Sequence, residues 1–343
     1  MNSKTIILGC GITGLIATHL LEDAICIEAG DEVCKDFKDG TFPKFLKESP
    51  QIDSVYKSID YDFMQPFMQH PVDEHHKKLY DIMEPFNVEI FDDGSMFGVG
   101  GGVFVGFYIP HNKETKEKIY KNYCIKKYGV VKEGKMNGYM ETNSQIAYYK
   151  NKDKLIEKLY EINKDRIKLN SKVTRINPFQ KKIWIGEELY NYDTLVSTLP
   201  IPIFNKLTGM NLEYNTLNIK SIDVTFKKPF ADWMSDFTYV SDPNYGFHRI
   251  TKSCDSKTLS FEVLDNLEEY NNNHLQFINK FICTVDAIEA VTEKHFKFPI
   301  ASILPKFDDV HFIGRFATGN YNVKVEDTID EINSIKTLIR NSA

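Results

Sequence analysis

The sequence predicts an α/β fold with a central parallel sheet and a mixed α+β domain inserted into it. Three observations support this prediction. A short apolar strand, a glycine turn, a helix and a second apolar strand follow one another at the start of the chain. Apolar strands return between residues 171 and 205, and again near residue 311. Continuous apolar runs of this length are typical of strands that are buried on both faces of a parallel sheet.

Composition limits the possible partners and setting of the protein. The chain has 343 residues, 42% of them hydrophobic, and a formal net charge of −6. This length allows two domains, and the charge argues against nucleic acid and acidic membrane surfaces as partners. No stretch approaches the roughly 20 apolar residues that span a bilayer. The six cysteines are scattered without a CxxC pair, so we expect reduced thiols and a cytoplasmic protein.

The sequence offers no convincing metal site. His70, His75 and His76 are the densest histidine cluster, but their spacings of five and six residues do not align them on one helix face. We interpret them as exposed helix histidines and predict that the protein binds no metal. The sequence leaves the oligomeric state open.

The opening stretch, KTIILGCGITGLIATHLLEDAICIEAG at residues 4–30, contains a glycine turn. Gly9, Gly11 and Gly14 form a GxGxxG pattern between a strand and a helix. The first glycine permits a tight turn, the second lets a pyrophosphate approach the backbone, and the third lets helix and strand pack closely. The N-terminal N–H groups of the helix, which begins with Ile12 and Thr13, would face the phosphates.

Glu28 ends the second strand of this unit. A carboxylate at that position can accept hydrogen bonds from a ribose 2′-OH and would repel a 2′-phosphate. The stretch therefore predicts FAD or NAD rather than NADP, and the motif alone does not decide between the first two. The alternative is a glycine turn in a βαβ unit that binds nothing.

Four blocks of sequence resemble, in the right order, the flavin amine oxidase superfamily. Their motifs are most similar to those of UDP-galactopyranose mutases and protoporphyrinogen-oxidase-like proteins. The blocks are the glycine turn with its acid, the strands KVTRI and YDTLVSTLPIPIF, the segment FTYVSDPNYGFHRIT, and the segment HFIGRFATGNYNVKVEDTIDEI. The resemblance implies that the cofactor is FAD. It also implies a Rossmann-like FAD-binding domain around the central parallel sheet, plus an inserted mixed α+β substrate domain.

The order of the blocks predicts that both domains are discontinuous. The FAD-binding domain would comprise residues 1–45, 151–205 and 301–343. The substrate or cap domain would comprise residues 46–150 and 206–300.

The resemblance also implies a set of site residues. Arg249 and Tyr239 would face the substrate, and Tyr321 would lie near the substrate side of the flavin ring. The residues that would hold FAD are Gly9, Gly11, Ile12, Thr13, Gly14, Glu28, Val173, Thr198, Gly314, Arg315, Asp327 and Thr328.

Three of these assignments have a structural alternative. Arg249 and Arg315 could each form a strand-end ion pair instead of contacting a ligand. The acids Glu326 and Asp327 could simply cap the last helix.

Departures from the family pattern leave three functions open. The Gly-Gly pair expected after the ribose-binding acid is missing, and so is a further arginine for gripping a diphosphate substrate. The favoured function is an amine-oxidase-type oxidoreductase, in which a small polar or anionic substrate passes a hydride to flavin N5. The alternatives are a redox-neutral enzyme of the UDP-galactopyranose mutase type, in which reduced flavin N5 attacks a sugar carbon, and a protein that binds FAD without catalysis.

Overall fold

The computed structural model of the protein describes residues 5–35, 46–47, 49–59, 67–68, 89–90, 96–97, 121, 125, 147–149, 152–229, 237–239, 245–253, 257–264, 273–281, 285–301 and 303–342. His70, His75 and His76 lie outside these residues.

Two compact units make up the chain, each built from separated segments. The first comprises Met1–Phe67, Tyr148–Thr216 and Phe298–Ala343. The second comprises Met68–Ala147 and Leu217–Lys297. The cofactor and substrate roles that the sequence assigns to its two sets of segments remain predictions.

Among the described residues, the first unit contains short strands and helices, and the second contains mostly strands. The strands are β1 (Thr5–Leu8), β2 (Ala24–Ile27), β3 (Leu46–Lys47), β4 (Phe67–Met68), β5 (Glu89–Ile90), β6 (Met96–Phe97), β7 (Ala147–Tyr149), β8 (Ile167–Lys168), β9 (Val173–Asn177), β10 (Lys182–Ile185), β11 (Glu188–Asn191), β12 (Thr194–Ser197), β13 (Asn215–Phe226), β14 (Phe237–Tyr239), β15 (Phe247–Lys252), β16 (Thr258–Leu264), β17 (Ile288–Ile300) and β18 (Val310–Phe312). The α-helices are α1 (Ile12–Leu20), α2 (Pro50–Ser58), α3 (Lys152–Asn163), α4 (Ile201–Thr208), α5 (Asn273–Phe281), α6 (Arg315–Thr318) and α7 (Val325–Ser342).

The first unit is organised around a five-stranded parallel sheet in the order β18-β12-β1-β2-β8. The predicted α/β class with a central parallel sheet is therefore confirmed. All four residues of β1 are buried, as the apolar run TIIL requires of a central strand. Segments that are far apart in the sequence supply adjacent strands, which explains why the apolar strand pattern returns late in the chain.

Successive residues of β1 face opposite sides of the sheet and enter two different cores. Ile7 packs with the buried faces of α1, α2, α3 and α7. Ile6 and Leu8 pack with residues of α4 and of the antiparallel sheet β11-β10-β9. Apolar layers on both faces explain why the strand shows no alternation of polar and apolar residues.

The second unit contains a five-stranded sheet in the order β14-β15-β16-β13-β17. The pairs β14–β15, β15–β16 and β16–β13 are antiparallel. One face of this sheet forms an aromatic core with α5. Phe247 contacts Phe261 and Phe277 edge-on, with ring centroids 4.9 and 5.4 Å apart. This antiparallel architecture agrees with the predicted mixed α+β composition of the inserted domain.

We expect Gly14→Ala to destabilise the first unit by about 3 kcal/mol, because a Cβ on Gly14 would lie 1.9 Å from the carbonyl oxygen of Gly9. Gly11→Ala is the matched control. A Cβ on Gly11 has no atom within 4 Å among the described residues, so this variant should lose less than about 1 kcal/mol. Urea denaturation of both variants measures the difference, and equal losses would contradict the proposed packing.

Candidate functional site

The candidate site lies at the carboxyl edge of the parallel sheet. The last residues of β1, β2, β12 and β18 are in register there. Leu8 lies opposite both Ile27 and Ser197, and Ser197 lies opposite Phe312. The residues that follow these ends therefore share one edge, where open α/β sheets bind their ligands. The residues that continue from the four strand ends are Gly9, Glu28, Thr198 and Ile313.

Gly9 and Thr198 stabilise the turn that follows β1. Gly9 has a φ of +88°, a backbone conformation that favours glycine, and its N–H donates to the carbonyl oxygen of Ile27 at 2.9 Å. The hydroxyl of Thr198 lies 2.8 Å from the carbonyl oxygen of Leu8 and 3.1 Å from that of Gly9. A Cβ on Gly9 would lie 2.7 Å from the Thr198 hydroxyl. Both predicted site residues therefore shape the same turn.

Gly11 leaves the N-terminus of α1 open. It is the N-cap of the helix, makes no side-chain cap, and is followed by no acidic residue in the first turn. Gly11 itself is exposed, and the space where its Cβ would stand is clear of described residues. Since the first N–H groups of a helix lack partners within it, this end suits an anion. The glycine turn thus fits a diphosphate, with Ile12 and Thr13 in the turn that would face it.

Glu28 is held in place by two backbone amides. Its Oε2 accepts a hydrogen bond from the N–H of Cys10 at 2.6 Å, and its Oε1 accepts one from the N–H of Gly30 at 2.8 Å. An ionised carboxylate has about four acceptor positions, so two bonds leave it capacity for ribose hydroxyls. The bond from Cys10 couples the end of β2 directly to the glycine turn, a contact that sequence reasoning missed.

Three buried cysteines, Cys10, Cys26 and Cys34, surround the same turn. Cys34 donates its N–H to the carbonyl oxygen of Cys10 at 2.9 Å, and the Cys26 thiol donates to the carbonyl oxygen of Gly9 at 3.6 Å. A hydrogen bond with Cys26, together with burial, raises the pKa of the Cys10 thiol. A thiol held in its protonated form is a poor nucleophile. The Cys10 thiol therefore supports the turn rather than serving as a nucleophile.

The turn after β18 packs against the first turn of α1. Gly314 has a φ of +79°, and a Cβ there would lie 2.8 Å from Oγ1 of Thr13. Arg315 follows, donating from Nε to the carbonyl oxygen of Val323 at 3.2 Å. Its guanidinium carbon lies 5.6 Å from the ring centroid of Tyr321, within cation–π distance. The structure thus brings Gly314 to Thr13, and Arg315 to Tyr321.

Two predicted cofactor residues at the start of α7 have local roles. Asp327 accepts a hydrogen bond from the N–H of Lys324 at 2.9 Å, as an acid at the third helical position does when it caps a helix. The hydroxyl of buried Thr328 donates to the carbonyl oxygen of Lys324 at 3.0 Å. These contacts agree with the capping alternative for Asp327, and the predicted contact of both residues with the cofactor remains a prediction.

Val173 begins β9, the strand that follows β8 of the central sheet in the sequence. It pairs with Ile185 of β10 and is buried in the apolar core on that side of the first unit. The predicted position of its backbone beside an adenine remains a prediction.

Arg249 of the second unit is engaged by a buried acid. It lies opposite Glu262 across β15 and β16, and its Nε donates to Glu262 Oε1 at 2.6 Å. Glu262 Oε2 lies 3.5 Å from Nε2 of buried His248. Burial raises the pKa of Glu262, whereas the charge of Arg249 and the contacts with His248 lower it. The lowering effects are together the larger, so the net shift of the pKa is downward. The ion-pair alternative for Arg249 therefore describes the observed contact.

Tyr239 lies beside Arg249 on the sheet of the second unit. The two residues are register partners between β14 and β15. This pairing places the two predicted substrate residues of this unit together on neighbouring strands. Tyr321, the third, belongs to the first unit.

Neither a metal centre nor a membrane span is found in the described part of the chain. No group of three His, Cys, Asp or Glu side chains there could hold a metal ion. Among the described helices, none combines the length and the apolar character needed to cross a membrane.

Solved structures share the whole fold, at low sequence identity. A reduced UDP-galactopyranose mutase aligns with a TM-score of 0.62 and 14% identity, over 98% of this chain and 94% of its own. Wild-type putrescine oxidase bound to putrescine aligns with a TM-score of 0.62 and 12% identity, over 99% of each chain. A putative protoporphyrinogen oxidase from Exiguobacterium sp. 255-15 aligns with a TM-score of 0.56 and 14% identity, over 100% of each chain.

Neither a protein-family model nor a curated protein sequence matches the chain. The likeness to the solved structures therefore concerns the fold. The likeness confirms the fold that the resemblance of the four sequence blocks implies.

The main contact of Arg249 is one that the sequence did not reveal. The partner of Arg249 is 13 residues further along the chain, on a neighbouring strand. The alternation in TLSFEVL indicates that Glu262 shares a face with Ser260. Only the strand register, however, places that face opposite Arg249.

We expect Arg249→Met to lower the free energy of unfolding at pH 7 by about 3 kcal/mol, because it leaves the Glu262 carboxylate buried without its cation. Burial would then dominate and raise the pKa of Glu262. The loss of stability should shrink as the pH falls from 7 towards 5, because the raised pKa lets Glu262 take up a proton in the variant. In the wild type Glu262 stays ionised over this range, since its pKa is below the ordinary value. Urea denaturation across this pH range measures both effects.

The double variant Arg249→Met/Glu262→Leu is the control for this prediction. It removes both charges together and should recover most of the lost stability. An Arg249→Met protein as stable as the wild type at pH 7 would contradict the structural role of the pair.

Proposed function

We propose that this protein binds FAD at the carboxyl edge of the central sheet and acts as an amine-oxidase-type flavin oxidoreductase on a small polar substrate. The observation that carries the proposal is the open N-terminus of α1 at Gly11, next to the fixed carboxylate of Glu28. A helix end and an acid in this arrangement match the diphosphate and the ribose of a dinucleotide.

Each part of the proposed site has its own task. The first-turn N–H groups of α1 would bind the diphosphate, and Gly11 would let it approach. Glu28 would accept hydrogen bonds from ribose hydroxyls, while Thr198 holds Gly9 in the conformation that the turn requires. These hydrogen bonds are made within the protein, so they limit conformational adjustment on binding.

The choice of FAD over NAD is supported by the second half of the site. The block from β18 to α7 places Gly314 against Thr13 at the phosphate-binding helix. A glycine turn alone suits either nucleotide, whereas this second turn belongs to the motifs that resemble flavin enzymes. The shared fold with putrescine oxidase and UDP-galactopyranose mutase supports the same choice.

When bound, FAD would supply a hydride acceptor at flavin N5, and an external acceptor would reoxidise it. The protein residues would then position the substrate and keep water away from the ring. This division of labour needs no catalytic triad. It agrees with a site whose conspicuous polar groups, Thr198 and Glu28, make structural bonds.

The contacts of Arg249 favour a polar substrate over an anionic one. Its guanidinium already pairs with the buried Glu262 carboxylate, so an incoming anion would compete with a fixed counter-charge. Putrescine, a polar amine, is the ligand of one solved structure with this fold. We therefore propose that Arg249 and Tyr239 shape the substrate surface through hydrogen bonding rather than by capturing a carboxylate or phosphate.

The proposal predicts that the purified protein carries FAD. Its near-ultraviolet and visible absorption spectrum should show two flavin bands, and denaturation should release FAD. Gly11→Val should fold but retain no FAD, because its side chain would occupy the space of the diphosphate. Urea denaturation of Gly11→Val, compared with wild-type protein depleted of FAD, shows whether the variant is folded. FAD retained at wild-type occupancy by Gly11→Val would contradict the site.

A substrate screen then separates the classes of reaction. Turnover of a small amine or alcohol that consumes dioxygen or another acceptor supports the oxidoreductase. Turnover of a nucleotide sugar that requires prior reduction with dithionite, and consumes no acceptor, supports the redox-neutral alternative instead. FAD binding with no turnover in either screen would favour a non-catalytic protein.

A further inference from the structure

A histidine connects the ends of three helices in the first unit. His19 lies in the last turn of α1, Ser58 is the last residue of α2, and buried Asn163 is the last residue of α3. Nε2 of His19 lies 2.8 Å from Oγ of Ser58, and Nδ1 of His19 lies 3.4 Å from Nδ2 of Asn163. Each ring nitrogen therefore has a hydrogen-bond partner on a different neighbouring helix.

The orientation of the Asn163 amide is fixed by its other contacts. Arg166 donates a hydrogen bond from Nη2 to Oδ1 of Asn163, and a guanidinium has no acceptor that would allow the reverse. Nδ2 of Asn163 donates to the carbonyl oxygen of Leu159 at 2.6 Å. The group that Asn163 presents to the imidazole is therefore an N–H donor, so Nδ1 of His19 accepts and carries no proton.

The direction of the remaining hydrogen bonds follows from this assignment. A neutral imidazole without a proton on Nδ1 carries it on Nε2, and it donates this proton to Oγ of Ser58. The Ser58 hydroxyl in turn donates to the carbonyl oxygen of Val55 at 2.7 Å. A histidine that donates to a serine cannot take its proton, so this Ser-His-Asn cluster is not a catalytic triad. The network instead requires a neutral imidazole.

Charged groups reach the imidazole from two sides. Arg166, in the short helical turn after α3, donates from Nη1 to the carbonyl oxygen of Leu21 at 2.9 Å. Lys336 of α7 reaches the end of α1, where its Nζ lies 2.9 Å from Oε1 of Glu22. α2 faces the ring with the uncharged hydroxyl of its last residue. Two further charged groups act on these neighbours, Asp23 on Arg166 and Arg340 on Glu22.

Burial, and then the charge of Arg166, lower the pKa of His19. The charge of Lys336 acts in the same direction and that of Glu22 opposes it, and the net shift is downward. An Asn163 oxygen turned towards the ring would favour the charged imidazole. That orientation, however, would turn the N–H groups of Asn163 towards the N–H groups of Arg166. The surroundings therefore keep His19 neutral at pH 7.

We propose that His19 is a pH-sensitive joint of the first unit, in which protonation of Nδ1 breaks the contact with Asn163 and loosens α3 from the end of α1. After protonation two N–H donors face each other, and the ring carries a positive charge beside Arg166. The hydrogen bond to Ser58 is kept, because Nε2 is a donor in both states of the ring. The inference does not depend on the binding of FAD.

The direction of the pH effect follows from the neutral state of the folded protein. The unfolded chain leaves His19 free to take up a proton near the ordinary pKa of histidine, about 6.5. The stability that the joint contributes is therefore present above this pH and is lost as the pH falls through it.

The first test compares the wild type with His19→Gln, whose side chain does not titrate. Urea denaturation at pH 7.5 and at pH 5.5 gives the midpoint for each protein. The midpoint should fall further on acidification in the wild type than in the variant. All other histidines are the same in both proteins, so the difference isolates His19. Equal falls in the two proteins would overturn the inference.

The second test replaces the donor that faces the imidazole. Asn163→Asp presents a carboxylate to Nδ1, so it should stabilise the charged ring and raise the pKa of His19 by about one pH unit or more. Asn177→Asp is the matched control, because it adds the same charge at the end of β9 and keeps the acceptor for the N–H of Gln180. It should leave the pKa of His19 unchanged. Titration of histidine-labelled protein by NMR measures these values, with the His19 signal assigned by its absence in His19→Gln.

The nitrogen chemical shifts of wild-type His19 give a readout that needs no variant of Asn163. At pH 7.5 they should show the proton on Nε2, and the ring should titrate below the ordinary pKa of histidine. If Asn163→Asp does not fold, these two observations decide. A proton on Nδ1, or a pKa at or above the ordinary value, would overturn the joint.

Discussion

The candidate site depends on the close packing of α1 against the turn that follows β1. A Cβ at Gly14 would lie 1.9 Å from the carbonyl oxygen of Gly9, so only glycine lets the helix begin this near the strand end. That closeness directs the N-terminus of α1 to the carboxyl edge of the sheet, where the end of β2 presents Glu28. A helix end that started further away would separate the phosphate-binding amides from the ribose-binding acid.

A second feature of the site is that its polar side chains are already committed. Glu28 holds two backbone amides and Thr198 bridges two carbonyl oxygens. In the second unit, Arg249 is paired with a buried acid. Such groups cost little reorganisation when a ligand arrives, because their geometry is set by the fold. The proposed chemistry then requires the protein to position the substrate beside a cofactor, without a reactive side chain of its own.

The parts of this account that the sequence could predict are those with a strong local signal. GxGxxG between a strand and a helix identifies the turn, and the apolar runs identify the parallel strands. The later contacts depend on tertiary structure. Arg249 meets Glu262 only through strand register, which a sequence does not reveal. Cys10 reaches Glu28 through its backbone N–H, a group that every residue except proline carries, so no residue type marks it.

Glu331 is an intermediate case. Its spacing from Thr328 and Ile335 places an acid on the buried face of a helix, which is an unusual position that the sequence does show. What the sequence does not show is that Oε2 of Glu331 is buried without a hydrogen-bond partner among the described residues. Asp327 is ambiguous for another reason, because a helix-capping acid and a cofactor ligand have the same sequence pattern.

The central claim is that the carboxyl edge of the first unit holds FAD between the glycine turn and the turn after β18. A crystal structure of the protein grown with FAD tests it most directly. The account predicts the diphosphate at the first-turn amides of α1 beside Gly11, with the adenosine ribose within hydrogen-bond distance of Glu28. A dinucleotide bound elsewhere, or a ribose remote from Glu28, would contradict the claim.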